Sequence, residues 1–162
     1  MSLSGRLLVP LLDLFYPRAC AGCGGEVDGR EGFFCWDCLA ELEIIAAPFC
    51  RICGDPVDGR VEQAYTCSWC AERSPHFDSA RSAVRYRGWL RAALGDFKYR
   101  NMTCLCRDMT DLLEVCLSTH MNGVVLDAVT CVPLYPKKER ARTYNQARLL
   151  GNALANRLGL DF

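Results

Sequence analysis

Long apolar runs are missing from this sequence. None approaches the roughly 18 apolar residues needed to span a bilayer, so a helical membrane span is not expected. A secretory leader is lacking too. The apolar run of MSLSGRLLVPLLDLFYPRAC is broken by Pro10 and Asp13, and no small-residue cleavage site follows it. Histidine is scarce: His76 and His120 are isolated and read as loop or surface residues. These absences imply a cytoplasmic protein, whose thiols stay reduced and whose paired cysteines point to metal rather than disulfides. Net charge is also absent, but only in the total. Residues 1–80 carry 6 Lys/Arg against 12 Asp/Glu, and residues 81–162 carry 13 against 7. An acidic half followed by a basic half suggests two units with different partners.

What the chain has in excess is cysteine, 12 in 162 residues. Eight fall into four CxxC pairs, Cys20/Cys23, Cys35/Cys38, Cys50/Cys53 and Cys67/Cys70, with gaps of 11, 11 and 13 residues. CAGCGGEVDGR (20–30) aligns with CRICGDPVDGR (50–60), and CWDC (35–38) with CSWC (67–70). One early pair plus one late pair is therefore the repeating unit. A CxxC turn presents two sulfurs to one ion, and a short hairpin brings a second turn opposite, completing the four-thiolate tetrahedron zinc prefers. Gly24 and Gly54 follow the second cysteine of each early turn, where positive φ lets the backbone curl around the ion. The repeat favours sequential pairing, 20/23 with 35/38 and 50/53 with 67/70; an interleaved cross-brace is the alternative. Four bonded sulfurs leave no open position, so both sites are expected to be structural, with zinc supplying much of the folding energy of a module with little core. A redox CxxC is normally single and opens a helix in a βαβ context, which is missing here. Cys104, Cys106, Cys116 and Cys131 stand outside the set and read as small buried hydrophobes.

The remainder reads as an α/β sequence. LLVPLLDLFY (7–16) predicts a short amphipathic helix, and WDCLAELEII (36–45) a helix leaving the first ribbon. FDSARSAVRY (77–86) is strand-like; 88–99 and 104–117 carry helical periodicity; VVLDAVTCVPL (124–134) resembles a buried parallel strand; and 144–159 predicts a helix stopped by Gly159. The resulting organisation is an N-terminal helix at 1–19, a double zinc ribbon at 20–72, and an α/β unit at 77–162. Between the predicted strand and the last helix lies a loop, 134–143, holding Lys137, Lys138, Arg140 and Arg142 with Glu139 as its one acid. In open α/β sheets ligands bind beyond the carboxyl ends of strands, and a helix N-terminus there suits phosphate. A solvated basic loop is the plainer alternative.

VPLYPKKERARTYNQARLLGNAL resembles the ComF family, whose pattern is VPL, basic residues, RGFNQ, then LA. LLDLFYPRAC, the double ribbon and YRGWLRAALGDFKYR agree with it, so the resemblance covers nearly the whole chain. Thr143-Tyr144 departs from the family's Gly-Phe. The resemblance implies a double zinc ribbon joined to a type I phosphoribosyltransferase-like α/β domain, in proteins associated with competence and DNA uptake. It assigns Lys137, Lys138, Arg140 and Arg142 to the diphosphate of phosphoribosyl pyrophosphate, with Asn145 and Gln146 capping the helix and orienting the loop. Magnesium would accompany that ligand in a complete family member. The family's Asp-Asp pair followed by Thr-Thr-Gly is not found in this sequence. The expectation is thus an incomplete phosphoribosyltransferase-like domain, C-terminally truncated, inactive as given, and with 77–162 marginally stable where an apolar strand face stays uncovered. The implied partners are single-stranded DNA or a competence-machinery protein. The reading from a different class is a stand-alone zinc-ribbon module that binds nucleic acid or a protein.

Overall fold

The computed structural model describes residues 18–27, 29–59, 61 and 64–162. The predicted helix at 7–16, and all but the end of the 1–19 segment, lie outside the described residues.

Among the described residues six α-helices follow one another: α1 (Trp36–Ala40), α2 (Ser68–Arg73), α3 (Gly88–Tyr99), α4 (Cys106–His120, entered through a 3-10 turn at Thr103–Leu105), α5 (Pro136–Arg142) and α6 (Gln146–Leu158). α1 and α2 each begin just after the third cysteine of a ribbon. α3 forms where the periodicity predicts it, burying Leu90, Ala93 and Phe97 on one face. α6 starts on the Asn145 cap and stops at Gly159, whose φ of 68° places it in the left-handed region. α1 is shorter than its sequence pattern. The chain leaves helix after Ala40, and Ile44 pairs with Val84 in an antiparallel bridge.

No β-strand forms among the described residues; four isolated bridges stand in place of a sheet. The predicted strands at 77–86 and 124–134 are each reduced to a single bridge, Ile44 with Val84 and Ala128 with Asp161. The second bridge is parallel, as the α/β reading requires, but with no further neighbour the expected buried strand stays open to solvent. Val125 and Val132 are 87% and 82% exposed. A ladder needs several paired residues, and one bridge with Val129 donating to the Asp161 carbonyl does not supply them.

The core sits between α3, the start of α4 and the first ribbon: Phe34, Leu90, Ala93, Phe97, Leu105 and Met109 are buried together. Leu149 and Leu150 of α6 and Tyr144 pack against it. Arg157 of α6 bridges Asp111 and Glu114 of α4. The Tyr144 hydroxyl donates to the Phe97 carbonyl, and its ring meets Phe97 edge-on at 6.1 Å. Phe34 belongs to the ribbon sequence, so ribbon and helices share one core.

Candidate metal centres and the basic strip

The eight paired cysteines gather as the repeat predicts. Cys20, Cys23, Cys35 and Cys38 have sulfurs within 4.8 Å of one another, and so do Cys50, Cys53, Cys67 and Cys70. The sequential pairing holds and the cross-brace does not. A zinc–thiolate bond of about 2.3 Å in a tetrahedron separates neighbouring sulfurs by roughly 3.8 Å. Cys20–Cys38, Cys23–Cys35 and Cys53–Cys67 are each 3.7 Å apart. The donor set therefore fits zinc in size and chemistry, with four protein ligands and no open position.

The two turns are built by the same backbone bonds. Gly24 donates to the Cys20 carbonyl at 2.8 Å, and Gly54 to that of Cys50 at 2.9 Å. Both glycines have positive φ, 78° and 72°, as the sequence required. Val27 donates to Arg18 and Val57 to Pro48, each at 3.0 Å. Backbone N–H groups also reach the sulfurs: Gly22 and Cys35 donate to Cys20 Sγ at 3.3 and 3.2 Å, and Cys67 to Cys50 Sγ at 3.4 Å. Burial pushes the Cys20 thiol up, but the backbone bonds from Cys23, Cys35 and Gly22 outweigh it and set it at about 6. Cys50, opposed in the same way, also lies at about 6. Cys70 is pushed up to about 12 by burial and its neighbouring thiols, and Cys38 is raised for the same reasons. Each cluster thus sets a thiolate-prone sulfur, Cys20 or Cys50, beside a raised one, Cys38 or Cys70, and zinc would displace the thiol protons on binding.

The surroundings of the two clusters differ. Trp89 packs on Cys20, Val27, Cys35 and Cys38, and its ring lies 4.7 Å from that of Phe34. Gly22 has no room for a side chain: a Cβ there would lie 2.8 Å from Cys38 Sγ and 2.9 Å from the Trp89 ring. The buried carboxylate of Asp108 on α4 is held by Arg30 at 2.9 Å and by the Phe33 N–H at 3.0 Å. The second ribbon is fastened at its edge, by Ala80 donating to Ile52 at 2.6 Å and by Arg81, which donates to the Arg51 carbonyl and lies 4.9 Å over the Phe49 ring.

Of the four other cysteines, expected to be buried, one is. Cys116 is buried, Cys106 and Cys131 are half-buried, and Cys104 is exposed. The 3-10 turn carries Leu105 inward, which leaves its neighbour Cys104 on the outside. His76 is exposed as expected. His120 is not a free surface residue: its Nε2 lies 2.8 Å from the Ile45 carbonyl and its ring meets Phe49 edge-on.

The expected cationic loop is helical. Lys137, Lys138, Arg140 and Arg142 lie on α5, which begins at Pro136 and ends at Thr143 with φ of 67°. A proline in the first turn starts a helix readily. The left-handed region is where glycine is favoured, and it is where the resembling family has Gly; here Thr143 holds it with bonds to Asn101 Oδ1 and to the Arg142 carbonyl. Asn145 caps α6 by accepting from the N–H groups of Ala147 and Arg148. Those two N–H groups, which a phosphate at this helix N-terminus would use, are therefore already engaged. Gln146 is buried, donates to the Lys98 carbonyl at 3.0 Å and accepts from Arg142 at 3.3 Å. An open groove of about 600 Å³ lies elsewhere, beside the second ribbon. Cys53, Asp55, Trp69, Tyr86, Arg85 and Arg87 help line it, but both arginines are paired with acids, Arg85 with Glu43 and Asp58 and Arg87 with Glu43.

The model of the double zinc ribbon domain matches residues 11–74, which span both cysteine clusters. By fold and site this is a double-zinc-ribbon protein. Beyond the ribbons, the chain is 27% identical over 150 residues to Competence protein F of Haemophilus influenzae, covering 90% of this chain and 63% of that protein. It is 25% identical over 139 residues to the DNA utilization protein YhgH of Salmonella typhimurium, covering 77% of this chain and 61% of that protein. The double ribbon and these relatives support the ComF resemblance of the sequence. It spans about three-fifths of the length of the curated relatives it matches. No solved structure matches it with significance. Among the described residues, no helix is long and apolar enough to cross a membrane.

Proposed function

We propose that the chain serves the handling of incoming DNA in the cytoplasm, as a ComF-type protein. In this reading its zinc ribbons are scaffold and its basic helical half meets the phosphate-bearing ligand. One observation carries the reading. The alignment with Competence protein F covers 90% of this chain, so it includes the helical half and not the ribbons alone. Deleting the coding region in the host and scoring transformation by added DNA tests it: a large drop is expected, and an unchanged frequency contradicts it.

Within that reading, residues 77–162 form part of a phosphoribosyltransferase-like α/β unit. The helix order and the parallel bridge of Ala128 with Asp161 support this. Lys137, Lys138, Arg140 and Arg142 would face the diphosphate of phosphoribosyl pyrophosphate with magnesium, positioned by Asn145 and Gln146. The residues that the family resemblance assigns to the ribose and the 5′-phosphate are not found in this sequence, so these 162 residues supply only the diphosphate side. Titration with magnesium and phosphoribosyl pyrophosphate should give heat that Arg140→Ala reduces; no heat with the zinc-loaded protein removes the diphosphate assignment. A second reading, a ribbon module that docks a protein, is favoured by the exposure of Trp36 and Trp69, 64% and 46%.

A further inference from the structure

The acidic half of the chain carries a surface that the diphosphate assignment does not involve. The open groove of about 600 Å³ runs between the second ribbon and the segment that follows it. The ribbon contributes Asp55, Pro56 and Trp69, and the segment contributes Val84 and Tyr86. Val84 bridges Ile44, but the bonds of that bridge come from its neighbours. Ile45 donates to the Ala83 carbonyl at 3.1 Å, and Arg85 to the Glu43 carbonyl at 2.9 Å. Backbone groups alternate in direction along a paired segment, so the N–H and C=O of Val84 itself point to the opposite edge. Among the described residues no backbone group meets them there. An unpaired donor and acceptor on a groove wall are a template for an added strand.

Two large rings line the same groove. Trp69 is 46% exposed and Tyr86 57%. Arg73 and Arg91 stand over them at 5.6 and 5.8 Å and hold them in place. The charge of the lining has one sign left over. Arg85 and Arg87 are already paired with Glu43 and Asp58. Asp55 is exposed, and its carboxylate has no ion pair among the described residues. Cys53 and Cys67, both half-buried, also line the groove. A zinc ion held by four thiolates there would bring net negative charge to the wall. The surrounding half of the chain, residues 1–80, carries 12 acids against 6 bases.

We propose that this groove is the docking site for an extended, basic peptide segment of a partner protein. The segment adds as a strand on the free edge of Val84. Its apolar side chains pack against Trp69 and Tyr86, and a lysine or arginine meets Asp55 and the thiolate wall. Main-chain bonds give such a strand its affinity, and the side-chain contacts on either hand give its specificity. The opposite charges of groove and segment speed the encounter and exclude acidic segments. The inference rests on the protein-docking reading of the ribbons and assigns that reading a place and a partner chemistry.

The test is fluorescence anisotropy of a labelled peptide of about six residues, alternating lysine and valine, with the zinc-loaded chain. The matching glutamate–valine peptide should not bind. N-methylating the amides of the lysine–valine peptide removes its strand donors and should abolish binding. Trp69→Ala should weaken binding about tenfold and Asp55→Asn about threefold, each with both zinc ions retained. Trp36→Ala and Asp37→Asn, which make the same changes on the first ribbon, should change nothing. The proposal is overturned if the lysine–valine peptide does not bind, if the acidic or N-methylated peptide binds equally well, or if Trp69→Ala and Asp55→Asn bind as the parent does. A dimer of the parent chain that Trp69→Ala dissociates would put a second copy in the groove and also overturn it. Loss of binding with Trp36→Ala alone overturns the groove but leaves a docking ribbon standing. The docking reading itself fails separately, if neither Trp36→Ala nor Trp69→Ala lowers transformation.

Discussion

The two ribbons share their backbone and differ in what they lean on. Residue for residue, at an offset of 30, the same amides close both early turns, and the same short bridges tie each turn to its flanks, Ala19 with Glu26 and Phe49 with Pro56. Past the early turns the second ribbon is two residues longer, 13 against 11 between its pairs, and the residue just before the late CxxC differs. The first ribbon has Phe34 there, fully buried in the helical core; the second has Thr66, whose hydroxyl accepts from Arg51 at 2.9 Å near the surface. A metal turn can thus be copied as a local unit while one side chain decides whether the copy becomes part of the core. The first cysteine cluster packs against Trp89, and Asp108 of α4 ties to Arg30 and Phe33 of the same ribbon, so a metal there would hold the ribbon against the helical half. The second is fastened outside that core, through residues 80–81, the Phe49–His120 ring contact and the Arg85–Asp58 pair.

Several interventions press on that difference. Stripping both metals with a chelator should have the largest effect, unfolding the chain cooperatively by far-UV circular dichroism; the metal-loaded protein should release two zinc ions per chain. One zinc or none would undo the double-ribbon assignment. Phe34→Ala should cost about 3–5 kcal/mol in denaturant unfolding, and Thr66→Ala less than about 1 kcal/mol. Equal losses would erase the asymmetry. Arg30→Ala strands the buried Asp108 carboxylate and should cost about 3 kcal/mol, and replacing Asp108 by Asn in that background should recover part of the loss. Asn145→Ala removes the cap of α6 and should cost about 1 kcal/mol, with zinc content unchanged because the cap is far along the chain from either cluster.

Much of the metal chemistry was legible before any coordinates. Cysteine spacing and the repeat point to the eight ligands and the two positive-φ glycines and favour their sequential pairing over a cross-brace, because a tetrahedral thiolate site constrains local backbone directly. Helices α3 and α6 were readable for a similar reason: their apolar spacing and the stop at Gly159 are local signals. What escaped the sequence depends on partners distant in the chain. The stretch 124–134 has the composition of a buried strand, yet a strand requires a neighbour, and among the described residues only Asp161 bridges to it. Within the expected loop 134–143, Pro136–Arg142 is helical: Pro136 opens the helix at its first position, and the like charges of Lys138 and Arg142 four residues apart are too weak to prevent it. Asp108, which binds the first ribbon to α4, carries no motif, and nothing in the stretch YRGWLRAALGDFKYR marks Trp89 as a contact to the first cysteine cluster. The one available hint was the substitution of phenylalanine for threonine between otherwise aligned repeats.

The central claim is that the first zinc site is structural for the whole molecule and the second only for its own ribbon. Amide hydrogen exchange of α3 and α4 in Cys38→Ser and Cys70→Ser, each holding one zinc, tests it most directly. Protection of Leu90–Phe97 and Met109–Cys116 should collapse in Cys38→Ser and persist in Cys70→Ser. Equal protection in the two variants, or greater loss in Cys70→Ser, would contradict the account.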